Sequence, residues 1–108
     1  MRHIEDNIQE SIINASRLYY PKSLLFAVPN GGKRNPREAV RLKKQGVTPG
    51  ISDLILIHKG SVYFIEVKTE HGKQSLLQSQ FQKFVEKEGL KYFIVTSAAE
   101  FLELIERL

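Results

Sequence analysis

The amino-acid sequence predicts a single α/β domain, with a mixed sheet of about four strands flanked by helices in the order α-β-α-β-β-α-β-α. Three observations lead there. Apolar stripes of helical period alternate along the chain with short apolar runs of strand length. The two central strands are apolar on both faces over much of their length, which predicts a sheet covered on both sides. The 108 residues, 42% of them hydrophobic, suffice for one core. With no repeat, low-complexity tract or linker in view, residues 1–108 read as one domain.

The elements follow in order. Residues 4–19 form a first helix, with Ile4, Ile8, Ile12 and Ala15 as its apolar stripe, and Pro21 closes it. Leu24–Val28 is a short apolar strand. Pro29–Arg34 is a loop whose two glycines permit tight or positive-φ geometry. Asn35 suits an N-cap, Pro36 the first helical position and Gly46 the C-terminal end of a second helix. Arg37, Arg41 and Lys44 line one face of that helix, while Ala39 and Leu42 point away and are free to pack.

After a Thr48–Ser52 loop come two strands, Asp53–His58 and Ser61–Lys68, joined by Lys59-Gly60. A polar loop over 69–74 leads to a helix from Ser75, with Leu77, Phe81, Phe84, Val85 and Glu88 along one side and Gly89 at its end. Tyr92–Thr96 is the last strand. Ser97 with Glu100 makes a capping box for a final helix that turns Phe101, Leu104, Ile105 and Leu108 inward.

Composition narrows the chemistry. With no cysteine, disulfides and thiolate metal sites are excluded. His3, His58 and His71 fall at no metal-ligand spacing. The charged N-terminus predicts no signal peptide and no apolar run reaches the length of a membrane span, so a cytoplasmic protein is expected. The net charge is +4 and the pI about 9.4. Residues 1–53 hold nine Lys/Arg against five Asp/Glu, whereas residues 54–108 hold seven of each. The surplus clusters at Lys33, Arg34, Arg37, Arg41, Lys43 and Lys44, with Glu38 the one acid among them. Such a cluster suits the phosphates of a nucleic acid, supplying affinity and salt dependence without sequence readout, or is an ordinary solvated helix face. The four tyrosines read as core or interface residues, since no base-stacking pattern accompanies them.

The informative segment is Asp53–Lys68. If Lys59-Gly60 is a two-residue hairpin loop, His58 pairs with Ser61 and Asp53 falls opposite Glu66. Asp53, Ile55, Ile57, Val62, Phe64, Glu66 and Lys68 then share a face, and two carboxylates and an ammonium converge at the open end of the hairpin. A three-residue loop with a bulge would slip the register and send Asp53 to the other face. Facing carboxylates need a cation, and magnesium takes a few hard oxygens while keeping several waters. A bound metal polarises a phosphoryl oxygen and acidifies a bound water; Lys68 would orient that water or stabilise the pentavalent phosphorus. The plainer reading is a solvated cluster at the sheet's edge. Glu66 counts against it, because it lies within Phe64–Val67, a run that otherwise reads as buried.

Asp53, twelve residues, then Glu66-Val67-Lys68 resembles the D…(D/E)-x-K pattern of restriction-endonuclease-like nucleases. The flanks sharpen the likeness. Glu5–Gln9, Pro29–Gly32, Gly46–Asp53 and Gly72–Gln78 resemble, in order and over nearly the whole chain, the virus-type replication–repair nuclease (VRR-NUC) family, in the stand-alone form of phages and bacteria. The resemblance implies a restriction-endonuclease-like core and a divalent-metal-dependent endodeoxyribonuclease using Mg2+ or Mn2+. Asp53, Glu66 and the Val67 backbone carbonyl would bind the metal, Lys68 would be the catalytic lysine, Glu5 would approach the metal or its waters, and Gln78 would line the site. Gln74 and Leu76 depart from the family's more usual Leu and Pro. By analogy with junction resolvases, the substrate would be branched DNA such as a Holliday junction, cut by a homodimer that supplies two symmetric sites. The alternative is a non-catalytic nucleic-acid-binding module of the same fold. A third reading, a small-molecule enzyme or protein-interaction domain, has no phosphate-loop motif to support it.

Individual residues keep second readings. Glu5 is also a first-turn acid favourable to the helix dipole. Ser75-Leu76-Leu77-Gln78 is also a capping box. Gln9 reads as a polar neighbour of Glu5, Gly50 as a turn into the Asp53 strand, and His71 as a solvated loop residue.

Overall fold

The structure, a computed structural model, describes residues 4–29 and 35–108. Most of the Pro29–Arg34 loop, with Lys33 and Arg34, lies outside the described residues. The elements are α1 (Ile4–Tyr19), β1 (Leu24–Ala27), α2 (Pro36–Lys44), β2 (Leu54–His58), β3 (Ser61–Val67), α3 (Leu76–Lys87), β4 (Lys91–Val95) and α4 (Ala98–Glu106). The four strands form one sheet in the order β1-β2-β3-β4. Its first two pairings are antiparallel and β3–β4 is parallel, with α3 as the crossover. Order and sheet class are those the sequence predicts.

Local chemistry sets the ends. Asn35 caps α2 by accepting the Glu38 backbone N–H at 2.8 Å. Ser97 caps α4 by accepting the Glu100 N–H at 3.0 Å. The reciprocal half of that predicted box is displaced by one residue, because the Glu100 carboxylate accepts from the backbone and hydroxyl of Thr96. Lys59 and Gly60 have φ of 51° and 80°, the two positive values a type I′ hairpin turn requires.

Alternation divides the sheet. Leu25, Leu54, Leu56, Ile65, Val67 and Val95 face α1 and α4, where Ile12, Phe101, Leu104 and Ile105 complete the core. The opposite face carries Leu24, Phe26, Ile55, Ile57, Val62, Phe64, Glu66, Tyr92 and Ile94. There α3 lies over β4, and Phe81 meets the rings of Phe64 and Tyr92 edge-on.

Four expectations are corrected. The second face is covered only in part, since Leu24, Phe26, Ile57 and Val62 remain 38–56% exposed. Nor does α2, expected to pack through Ala39 and Leu42, bury any of its residues. The inward side of α3 is Gln78, Phe81, Gln82 and Val85, while Leu77, Phe84 and Glu88 face outward. That side combines polar contacts of Gln78 and Gln82 with the packing of Phe81 on Phe64 and Tyr92. At the start of α1, Ile4 is exposed and only Ile8, Ile12 and Ala15 of its stripe turn inward.

Candidate active site

The hairpin turn determines what meets at the far end of β2 and β3. From His58 opposite Ser61, the register runs to Leu54 opposite Ile65. One residue further, Asp53 stands beside Glu66, and its Oδ2 accepts the Val67 backbone N–H at 2.8 Å. The Asp53 carbonyl accepts from Val28, so the residue is fastened to the strands on both sides. Gly50, at φ +84°, turns the chain into this strand, and a Cβ there would lie 2.7 Å from backbone and side-chain atoms of Leu77. The loop before Asp53 therefore presses against the first turn of α3, an approach open only to glycine.

Glu66 is 1% exposed. Its Oε2 accepts from Gln78 Nε2 at 2.8 Å and lies 3.6 Å from the Lys68 ammonium. Its Oε1 accepts from the Tyr92 hydroxyl at 3.4 Å. Burial, then the charge of Asp53, pushes the Glu66 carboxyl up to about 8; Lys68 opposes the rise, while a hydrogen bond with Asp53 and the charge of Glu5 add to it. A carboxylate pair of this kind ionises fully only at a cost, so at neutral pH it keeps a proton or takes a cation. Burial, followed by the Glu66 charge, also drives the Tyr92 phenol up, so Tyr92 stays a proton donor.

Gln78 caps α3 and also touches Glu66. Its side-chain oxygen accepts the Ser75 N–H at 2.8 Å while its own N–H donates to Ser75 Oγ, closing the capping box. The remaining amide nitrogen reaches Glu66. Asp53, Glu66, Lys68 and Gln78 thus meet, with Glu5 close enough for its charge to act on Glu66. Arg37 and Arg41 are exposed on α2, where they line a surface concavity with Asn35, Pro36 and Glu38; Lys43 and Lys44 are exposed on the same helix. His58 is buried near the other end of the sheet, bonded to Ser23 Oγ, and His71 is exposed in its loop.

Two residues of the site were missed from the sequence, Tyr92 and Gln74. Tyr92 is buried, as its core reading expects, and parallel pairing with β3 also sets it on the Glu66 face. Gln74 donates to the Tyr92 oxygen at 3.2 Å. A polar residue where a relative more often has leucine was the one available signal.

The donor set fits a hard divalent cation. Two carboxylates converge, and magnesium needs only one or two, completing its shell with carbonyl oxygen and water. Among the described residues no group of three or more His, Cys, Asp or Glu forms a metal cluster. Nor is any described helix long and apolar enough to cross a membrane.

Neither a protein-family model nor a curated protein matches the chain. Solved structures do. One, named "VRR_NUC domain", is 23% identical, with 95% of each chain covered and a TM-score of 0.65. Another, named "VRR_NUC domain protein", is 20% identical over 96% of this chain and 86% of that one, with a TM-score of 0.77. The chain has the fold of these VRR_NUC domains, as the sequence resemblance implies.

Proposed function

We propose that this chain is a VRR-NUC-type, divalent-metal-dependent endodeoxyribonuclease that hydrolyses phosphodiester bonds in branched DNA such as Holliday junctions. The observation that carries the reading is the meeting of Asp53 with the buried Glu66, 3.6 Å from the Lys68 ammonium. It is supported by a fold shared with VRR_NUC domains.

In this reading Asp53 and Glu66 would hold Mg2+ or Mn2+ together with the Val67 carbonyl, and the Glu5 carboxylate, whose charge already acts on Glu66, would add to the negative field there. The bound cation supplies Lewis-acid polarisation of the scissile phosphate and a more acidic water. Lys68 donates to the water or to a phosphoryl oxygen and offsets charge as the pentavalent centre forms. Water oxygen bonds to phosphorus, one P–O ester bond breaks, and the leaving oxygen takes a proton. Gln78 holds Glu66 in place from α3.

Lys33, Arg34, Arg37, Arg41 and Lys44 bind DNA phosphates, giving affinity that falls with salt. Two symmetric nicks call for a homodimer. The uncovered apolar face of Leu24, Phe26, Ile57 and Val62 offers such a dimer a contact surface. The DNA would be met in the cytoplasm of a bacterial or phage-infected cell. A non-catalytic binding module is the second reading, favoured by the lack of a cluster of three or more His, Cys, Asp or Glu among the described residues.

The deciding experiment is cleavage of a labelled four-way junction, linear duplex and single strands with Mg2+, Mn2+ or EDTA. Metal-dependent paired nicks in the junction are expected, abolished by Glu66→Ala and by Asp53→Asn, with junction binding retained by both variants. Binding without cleavage by well-folded wild-type protein in either metal would overturn the nuclease reading in favour of the binding module.

A further inference from the structure

The Glu66 carboxylate sits at the end of a directed chain of hydrogen bonds that the proposed chemistry does not use. Gln74 Nε2 donates to Gln82 Oε1 at 2.9 Å and to the Tyr92 hydroxyl oxygen at 3.2 Å. An amide nitrogen can only donate, so the Tyr92 oxygen must accept from Gln74. A phenol has a single proton, and with its oxygen engaged that proton is aimed at Glu66 Oε1, 3.4 Å away. The Gln82 amide is itself held, donating to Glu86 at 3.2 Å. The tyrosine ring cannot swing aside. It is 5% exposed and packs edge-on against Phe81, which packs against Phe64.

The two Glu66 oxygens are therefore held by different partners. Gln78 and Lys68 take Oε2, and Tyr92 takes Oε1. We infer that Gln74 and Tyr92 are positioning residues for the proposed metal centre: Gln74 orients the Tyr92 hydroxyl, and the hydroxyl holds the Glu66 carboxylate in one rotation beside Asp53. This rests on the metal-nuclease reading and adds a dependence of metal affinity on two residues outside the ligand set. Outer partners that orient a ligand commonly govern affinity by 10–100-fold, about the scale expected here.

Isothermal titration of the DNA-free protein with MnCl2 reads this directly, using wild type, Tyr92→Phe, Gln74→Leu and Glu66→Ala. Tyr92→Phe keeps the ring and its packing while removing the hydroxyl. It should weaken Mn2+ binding by about tenfold, and Gln74→Leu should weaken it less. Both variants should keep the wild-type Tm in EDTA and wild-type affinity for junction DNA in EDTA, which a merely structural role would not combine with weaker metal binding. The Mg2+ concentration giving half-maximal cleavage should rise in step. Wild-type Mn2+ affinity in both variants, alongside its loss in Glu66→Ala, would overturn the positioning role and leave the metal centre standing. Absence of Mn2+ binding by wild type would overturn both. If Tyr92→Phe does not fold, Gln74→Leu decides, since its side chain is only part-buried and belongs to a loop.

Discussion

Replacing Glu66 with glutamine should make the metal-free protein more stable at alkaline pH while destroying its proposed metal centre. Glu66 is held at about 8 in the fold against 4.5 as a free side chain. Each pKa unit corresponds to about 1.4 kcal/mol, so, with the shift shared with Asp53 and reduced by solvent screening, the rise amounts to a few kcal/mol in favour of the protonated carboxyl. The sign follows from proton counting. Between the two values the unfolded chain has released its proton and the folded one retains it, so stability declines as pH rises through this window. Below 4.5 both states are protonated and the contribution is complete. Urea denaturation in EDTA, from about pH 5 to about pH 9, should show wild-type stability falling by up to this amount relative to Glu66→Gln. Adding Mg2+ at one hundred times its Kd near pH 8 should return about 2.7 kcal/mol to wild type and nothing to the variant. A wild-type curve that runs parallel to the variant's across the whole range would refute the reasoning, because it would mean that burial beside Asp53 leaves the Glu66 proton unaffected.

Other perturbations test other levels of the structure. Arg37→Ala with Arg41→Ala should weaken junction binding and lower the slope of log affinity against log salt by about 2, as titrations at several salt concentrations would show, while leaving the maximal cleavage rate of bound DNA unchanged. Gly50→Ala must adopt a positive φ and meet Leu77 at 2.7 Å; a loss of about 2–3 kcal/mol is expected by chemical denaturation, with cleavage impaired because the same loop leads to Asp53. Ile57→Glu places a charge on the uncovered sheet face while leaving the buried face intact. For the proposed homodimer, sedimentation should then shift from dimer to monomer, and its proposed paired nicks in a junction should become single ones.

Much of the site was legible because it depends on local rules. Lys59-Gly60 is a two-residue turn, and a hairpin loop of known length sets the register of its strands. Asp53 against Glu66 follows by counting, and Glu66 within an apolar run signals a buried carboxylate needing partners. Helix starts at Asn35, Ser75 and Ser97 were equally open to reading, because an N-cap is a bond between residues three apart. Gln78 shows the limit of such rules. The spacing allowed a cap or a site residue, and the side chain has two polar ends that serve both.

The sequence by itself determined the order of elements, the antiparallel hairpin and the identity of the charged residues at its open end, since each follows from periodicity, turn chemistry or alternation within a few residues. Only the tertiary structure decided how α3 is rotated, that Tyr92 reaches Glu66 across a parallel strand pair, and that part of one sheet face stays uncovered. These depend on packing between segments distant in the chain. A parallel crossover carries no turn to set its register, and an amphipathic stripe states that a helix has an inner side without stating what lies beneath it. Gln78 and Gln82 on α3, with Gln74 in the loop before it, make bonds to Glu66, Tyr92 and one another that exist only once the helix has docked.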